Sequence, residues 1–173
     1  MIKQLSYAFL VAFLAVSGFG SAAQSTSTSH LQWHENFNEA AQLSASTGKP
    51  MFVLFTGSDW CTWCIKLENE SLATSEFAQQ LGDKLIFVKL DFPARGVVPA
   101  PIKQINDSIK NKYGIKSFPT VLLLDSQQRQ IGATGYKEGG GASYAEHIQK
   151  MLSGYSAYQN KVHTMENTKI SQR

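Results

Sequence analysis

Cysteine is scarce in this chain: two residues in 173, at positions 61 and 64. Two thiols cannot build the multi-bridge framework of a small disulfide-held domain, nor a four-thiolate zinc site. Charge is sparse as well, at 17% Asp, Glu, Lys and Arg with a formal net charge of +3. The cations are scattered rather than gathered into the stripe that a nucleic-acid groove displays, so that class of partner is set aside. Thirteen glycines and five prolines are too few for a fibrous or low-complexity chain. The 43% of hydrophobic residues is too many for a disordered one. The length fits one ordinary globular domain.

Residues 1–23 differ from the rest. Lys3 precedes an uncharged apolar run from Tyr7 to Val16, and Gly18, Gly20, Ser21, Ala22 and Ala23 follow. A positive start, a short apolar core and a small-residue exit predict a secretory signal peptide cut after Ala23. The run falls short of the roughly 20 apolar residues needed to cross a bilayer, so no stable membrane insertion is expected. The Ser/Thr-rich stretch 24–30 reads as a flexible leader. Residues 31–154 form the expected domain, and 155–173 a polar C-terminal tail.

Along the domain, Asn36 is placed to cap a first helix that Gly48 and Pro50 stop. Met51 to Phe55 and Leu85 to Asp91 are apolar runs between turn signals, the pattern of strands buried on both faces. A helix is expected from Cys61 to about Asn69, and a shorter one over Ser75–Leu81. Pro93 to Pro101 is a loop, and Ile102–Tyr113 a helix closed by Gly114. Thr120–Asp125 and Gln130–Gly135 are strands joined by a turn at 126–129, and Ala142–Leu152 is the last helix. Strands alternating with helices predict an α/β fold: a central sheet of parallel strands plus an antiparallel edge hairpin, with helices on both faces.

The chemistry concentrates at Trp60-Cys61-Thr62-Trp63-Cys64, where a buried strand gives way to a helix. Three-residue spacing puts both Cβ atoms on one face of the first helical turn, within disulfide reach. The unsatisfied N–H groups and dipole of that turn favour a thiolate at Cys61, the attacking species in exchange. Cys64, a turn deeper, is placed to resolve a mixed disulfide. A metal site would need further ligands, and His30, His34, His147 and His163 show no ligand spacing. Ile65 stands where a c-type haem needs His. A static structural bridge is the remaining alternative, although so short a loop constrains the unfolded chain little. No metal or cofactor is expected beyond the cysteine pair.

A second motif, Tyr113-Gly114-Ile115-Lys116-Ser117-Phe118-Pro119-Thr120, places a proline directly before a buried strand, as a special turn requires. Together, strand–Trp-Cys-x-x-Cys–helix, the Lys89-Leu90-Asp91 strand end and this motif resemble the thioredoxin family from about Trp33 to Leu152. The resemblance implies a thioredoxin fold, a cis-proline at Pro119 facing the disulfide, and pairing of Phe118 backbone groups with a substrate strand. It also matches Gly135 to the family glycine that lets substrate approach. Glu68, four residues past Cys64, makes the chain similar to the secreted Cys-x-x-Cys-x-x-x-Glu subgroup, which includes bacterial periplasmic disulfide reductases of the DsbH type. That likeness implies a periplasmic location, disulfide-bearing protein substrates, a membrane electron donor of the DsbD kind, and a monomer.

Two departures shape the expected mechanism. The aspartate that cytosolic thioredoxins carry six residues before the first cysteine is Phe55 here, while the matching lysine, Lys89, is kept. Glu68, with Lys89 nearby, is therefore a candidate to accept the proton of Cys64; a solvated helix glutamate is the alternative. Thr62 and Trp63 provide no cation for the Cys61 thiolate, and Asp59 would work against it. A less stabilised thiolate means a stronger reductant. The expected activity is thus reduction of protein disulfides, with an oxidase, an isomerase or a non-catalytic peptide-docking module as alternatives. Trp60 and Trp63 are candidates for an apolar substrate rim, and no pattern assigns a partner to Arg95 in the proline-rich loop.

Overall fold

Met51 to Phe55 is an uninterrupted apolar run with no polar face, and all six side chains of Met51–Thr56 are buried. The computed structural model describes residues 31–171, so the expected signal peptide and leader lie outside the described residues. Along the chain come Trp33–His34 (β1), Phe37–Thr47 (α1), Met51–Thr56 (β2), Thr62–Leu67 (α2) and Ser75–Leu81 (α3). Ile86–Asp91 (β3), Ala100–Lys112 (α4), Thr120–Leu124 (β4), Gln130–Thr134 (β5) and Gly140–Ser171 (α5) complete it. The strands form one mixed sheet in the order β1-β3-β2-β4-β5.

The alternation of side chains along β2 divides the core. Met51, Val53 and Phe55 meet Phe37, Ala40 and Ile109 of α1 and α4 on one face. Phe52 and Leu54 meet Leu67, Phe77, Tyr144 and Ile148 of α2, α3 and α5 on the other. Asn36 caps α1 by accepting the Asn38 N–H at 3.0 Å, and Gly48 closes the helix at φ 72°.

A parallel centre is what the element pattern predicts, yet β4 runs antiparallel to β2. The connection explains this. Tyr113, at the end of α4, donates its hydroxyl to Gln128 in the β4–β5 turn, while Phe118 packs against Trp60 at the opposite end of the sheet. Residues 114–119 thus climb the height of the sheet before β4 begins, and β4 descends.

Three further differences from the sequence reading appear. The helix after Cys61 is α-helical only to Leu67, and Glu68–Leu72 form a π-helical turn. Trp33–His34 makes a short edge strand against Phe87 and Val88, too brief to show a period in the sequence. The expected last helix, Ala142–Leu152, is part of a 32-residue helix, so residues 155–171 of the polar tail are helical. Tyr155 ties this stretch to the body by donating its hydroxyl to Asp125 at 2.7 Å.

Candidate active site

The antiparallel register Phe55↔Thr120 sets the last residues of β2 beside the first of β4. Whatever follows β2 therefore meets whatever precedes β4. Cys61 and Cys64 follow the first; Phe118 and Pro119, joined by a cis peptide bond, precede the second.

Cys61 is the N-cap of α2, and its Sγ accepts the N–H of Cys64 at 3.2 Å. The two cysteines form a disulfide with Cα atoms 5.2 Å apart. Cys64 is the deeper, at 2% exposure against 7% for Cys61. Two half-exposed indoles stand beside the pair. Trp60 donates Nε1–H to the Phe92 carbonyl at 2.8 Å and packs edge-on to Phe118 with centroids 5.7 Å apart. Its ring lies over Gly57, where a Cβ would come within 2.4 Å of the indole. Trp63 leans on Tyr136 at 5.1 Å, and the Lys66 ammonium lies 5.2 and 5.0 Å from those two rings. Gly135 sits where a Cβ would come 3.1 Å from the Pro119 carbonyl oxygen.

Phe55 is fully buried on the α1 and α4 side, stacked on Phe92. Lys89 extends instead to the α2 side, where its ammonium pairs with the Glu68 carboxylate and lies 5.3 Å from the Trp33 ring. The carboxylate beside this lysine thus comes from the helix rather than from β2. The π-helical turn begins at Glu68 itself, whose N–H bonds the Cys64 and Ile65 carbonyls.

Asp59, expected to work against a Cys61 thiolate, is engaged by the loop after β3. Its carboxylate accepts three backbone N–H groups, from Ala94 at 2.8 Å, Arg95 at 2.7 Å and Gly96 at 3.2 Å. Those donors hold its pKa below the ordinary aspartate value. Asp91 reciprocates, accepting the N–H and hydroxyl of Ser58 at 3.0 and 2.6 Å. The loop before Cys61 and the loop after β3 are therefore laced together.

Sequence reasoning missed Tyr136, Lys66 and Glu70, which form one network: Tyr136 donates its hydroxyl to Glu70 at 2.5 Å, and Lys66 approaches Glu70 at 3.8 Å. The i,i+4 spacing of Lys66 and Glu70 was readable; the arrival of Tyr136 was not. Among the described residues no group of three or more His, Cys, Asp and Glu gathers at metal-binding range.

A family profile described as a thioredoxin-like domain matches residues 37–151. The chain is 37% identical over 123 residues to the disulfide bond reductase DsbH of Chlamydia pneumoniae, covering 71% of this chain and 74% of that protein. A solved structure of a DsbH oxidoreductase superposes with a TM-score of 0.70 at 32% identity, covering 86% of this chain and 95% of the other. The chain is also 27% identical over 126 residues to the thiol:disulfide interchange protein DsbD of Yersinia pestis, covering 67% of this chain but 19% of that longer protein. With a cysteine pair bridged at the start of α2 and the fold and relatives that accompany it, the chain belongs to the thioredoxin-like family and is a thiol–disulfide oxidoreductase.

Proposed function

We propose that the protein reduces disulfides of other proteins outside the cytoplasm. The Cys61 thiolate attacks a substrate disulfide, forming a mixed disulfide and releasing one substrate thiolate. Cys64 then attacks Cys61, releasing the second substrate thiolate and closing the Cys61–Cys64 bridge; two electrons pass to the substrate. Glu68 accepts the Cys64 proton, with Lys89 holding the carboxylate in place. Trp60, Trp63, Phe118, Pro119 and Gly135 form the groove for the substrate chain. An external dithiol must return the pair to its reduced form, and a membrane reductase of the DsbD kind supplies the right chemistry.

The observation that carries this reading is the asymmetry of the pair. Cys61 sits at the helix N-terminus beside two half-exposed indoles and keeps 7% exposure, whereas Cys64 lies a turn below at 2%. No cation other than the helix end faces Cys61 from Thr62 or Trp63, which favours a reducing couple. An envelope setting is supported by the signal-like residues 1–23 and by the similarity to DsbH and DsbD. Two assays test it: insulin reduction with dithiothreitol as donor, and titration of the couple against glutathione. A potential near that of thioredoxin, about −270 mV, is expected; one near that of DsbA, about −120 mV, would make the protein an oxidant.

A further inference from the structure

Between the loop that follows β3 and α4 lies an open-sided cavity of about 190 Å³, lined by Asp91, Phe92, Pro93, Gly96, Val98 and Lys103. Its two charged lining residues are already engaged. Asp91 accepts both donors of Ser58, and the Lys103 ammonium pairs with Asp107 at 2.7 Å. What remains to meet an occupant is mostly carbon, from Phe92, Pro93 and Val98. The volume lies below the roughly 300–1,000 Å³ of small-molecule and cofactor sites, and suits one side chain.

One hydrogen bond links the lining of the cavity to the residue before Cys61. Trp60, next to Cys61, donates Nε1–H to the carbonyl of Phe92, and its ring is half-exposed. The loop is also held in one shape. Asp59 grips the N–H groups of Ala94, Arg95 and Gly96, and a Cβ on Gly96 would come 3.0 Å from that of Pro93. A glycine at 96 is what lets the loop pass this close to Pro93.

We propose that this cavity is a specificity subsite that takes a large aliphatic side chain of the disulfide-bearing polypeptide, a few residues from the cysteine under attack. The subsite rests on the proposed exchange at Cys61. Asp59 and Asp91 are its positioning residues.

The test uses the reduced full chain and a set of peptides, each with one cysteine activated as a mixed disulfide with thionitrobenzoate. One position at a time on either side of that cysteine is changed from Ala to Leu. At one such position, Leu is expected to raise kcat/KM about tenfold over Ala, the low end for filling an apolar pocket. Val98→Trp, which fills the cavity, is expected to bring that ratio to about one. Val98→Ala, which enlarges it, is expected to move the preference from Leu to Phe, a change that misfolding cannot produce. Normal reaction with no Leu preference at any position overturns the subsite alone, as does a preference that survives Val98→Trp. Failure of the native chain to react with any peptide overturns the exchange reading and the subsite with it.

Discussion

Lys89 of β3 pairs its ammonium with the carboxylate of Glu68, which lies four residues beyond Cys64 at the start of the π-helical turn. The ion pair bridges the sheet and the helix that carries both cysteines. It stands in a chain whose position six residues before Cys61 is the non-titrating Phe55. If Glu68 takes the proton of Cys64, Glu68→Gln slows closure of the Cys61–Cys64 bridge at neutral pH by about 10-fold or more, as expected of a lost general base. Its rate should recover toward alkaline pH, where Cys64 ionises unaided. Stopped-flow measurement of mixed-disulfide resolution against pH checks this; an unchanged profile removes Glu68 from the mechanism.

Asp59 gives the loop clasp a pH dependence whose sign is fixed. Its folded pKa lies below the ordinary 3.8, so its contribution is complete above about pH 4 and fades as pH falls through the folded value. The amide shifts of Ala94, Arg95 and Gly96 should titrate together with a midpoint below 3.8. In Asp59→Asn that joint transition should vanish. Independent titration of the three amides would contradict the clasp.

Gly57→Ala places a methyl within 2.4–2.7 Å of the Trp60 indole, which must swing out. The bond from Nε1 to the Phe92 carbonyl breaks with it. A shift in tryptophan emission and a several-fold loss in insulin reduction are expected, with the potential of the couple unmoved.

Phe77 is fully buried and meets Phe52, Phe87 and Tyr144 with ring centroids 5.8–6.0 Å apart. Phe77→Ala should cost about 3–5 kcal/mol of stability. Urea unfolding measures it, and a loss below about 1 kcal/mol would show that the site refills or is less central than its packing indicates.

What the sequence disclosed was what is local or periodic. β2 and β3 stand out because burial on both faces leaves no polar position, and the Cys61–Cys64 pair because its spacing is complete within one helical turn. The Phe118–Pro119 segment was legible as a motif, but its place beside the cysteines depends on the antiparallel pairing of β2 with β4, which the alternation of elements conceals. The partners of Asp59 were not legible because they are backbone N–H groups some 35 residues away, and backbone donors leave no trace in side-chain identity. The helical run beyond Leu152 was hidden by Gly154 and a polar composition. The Glu68–Lys89 pair was anticipated through the absence of a carboxylate at position 55.

Exchange at this site requires Cys61 to be an ionised, reachable nucleophile while Cys64 waits beneath it. Timed iodoacetamide labelling of the reduced chain across pH, with each cysteine followed by mass spectrometry, tests it most directly. Cys61 should alkylate faster than free cysteine at neutral pH, with a midpoint below the free value of about 8.5, and Cys64 much more slowly. Equal labelling of the two, or a Cys61 midpoint at or above the free value, would contradict it.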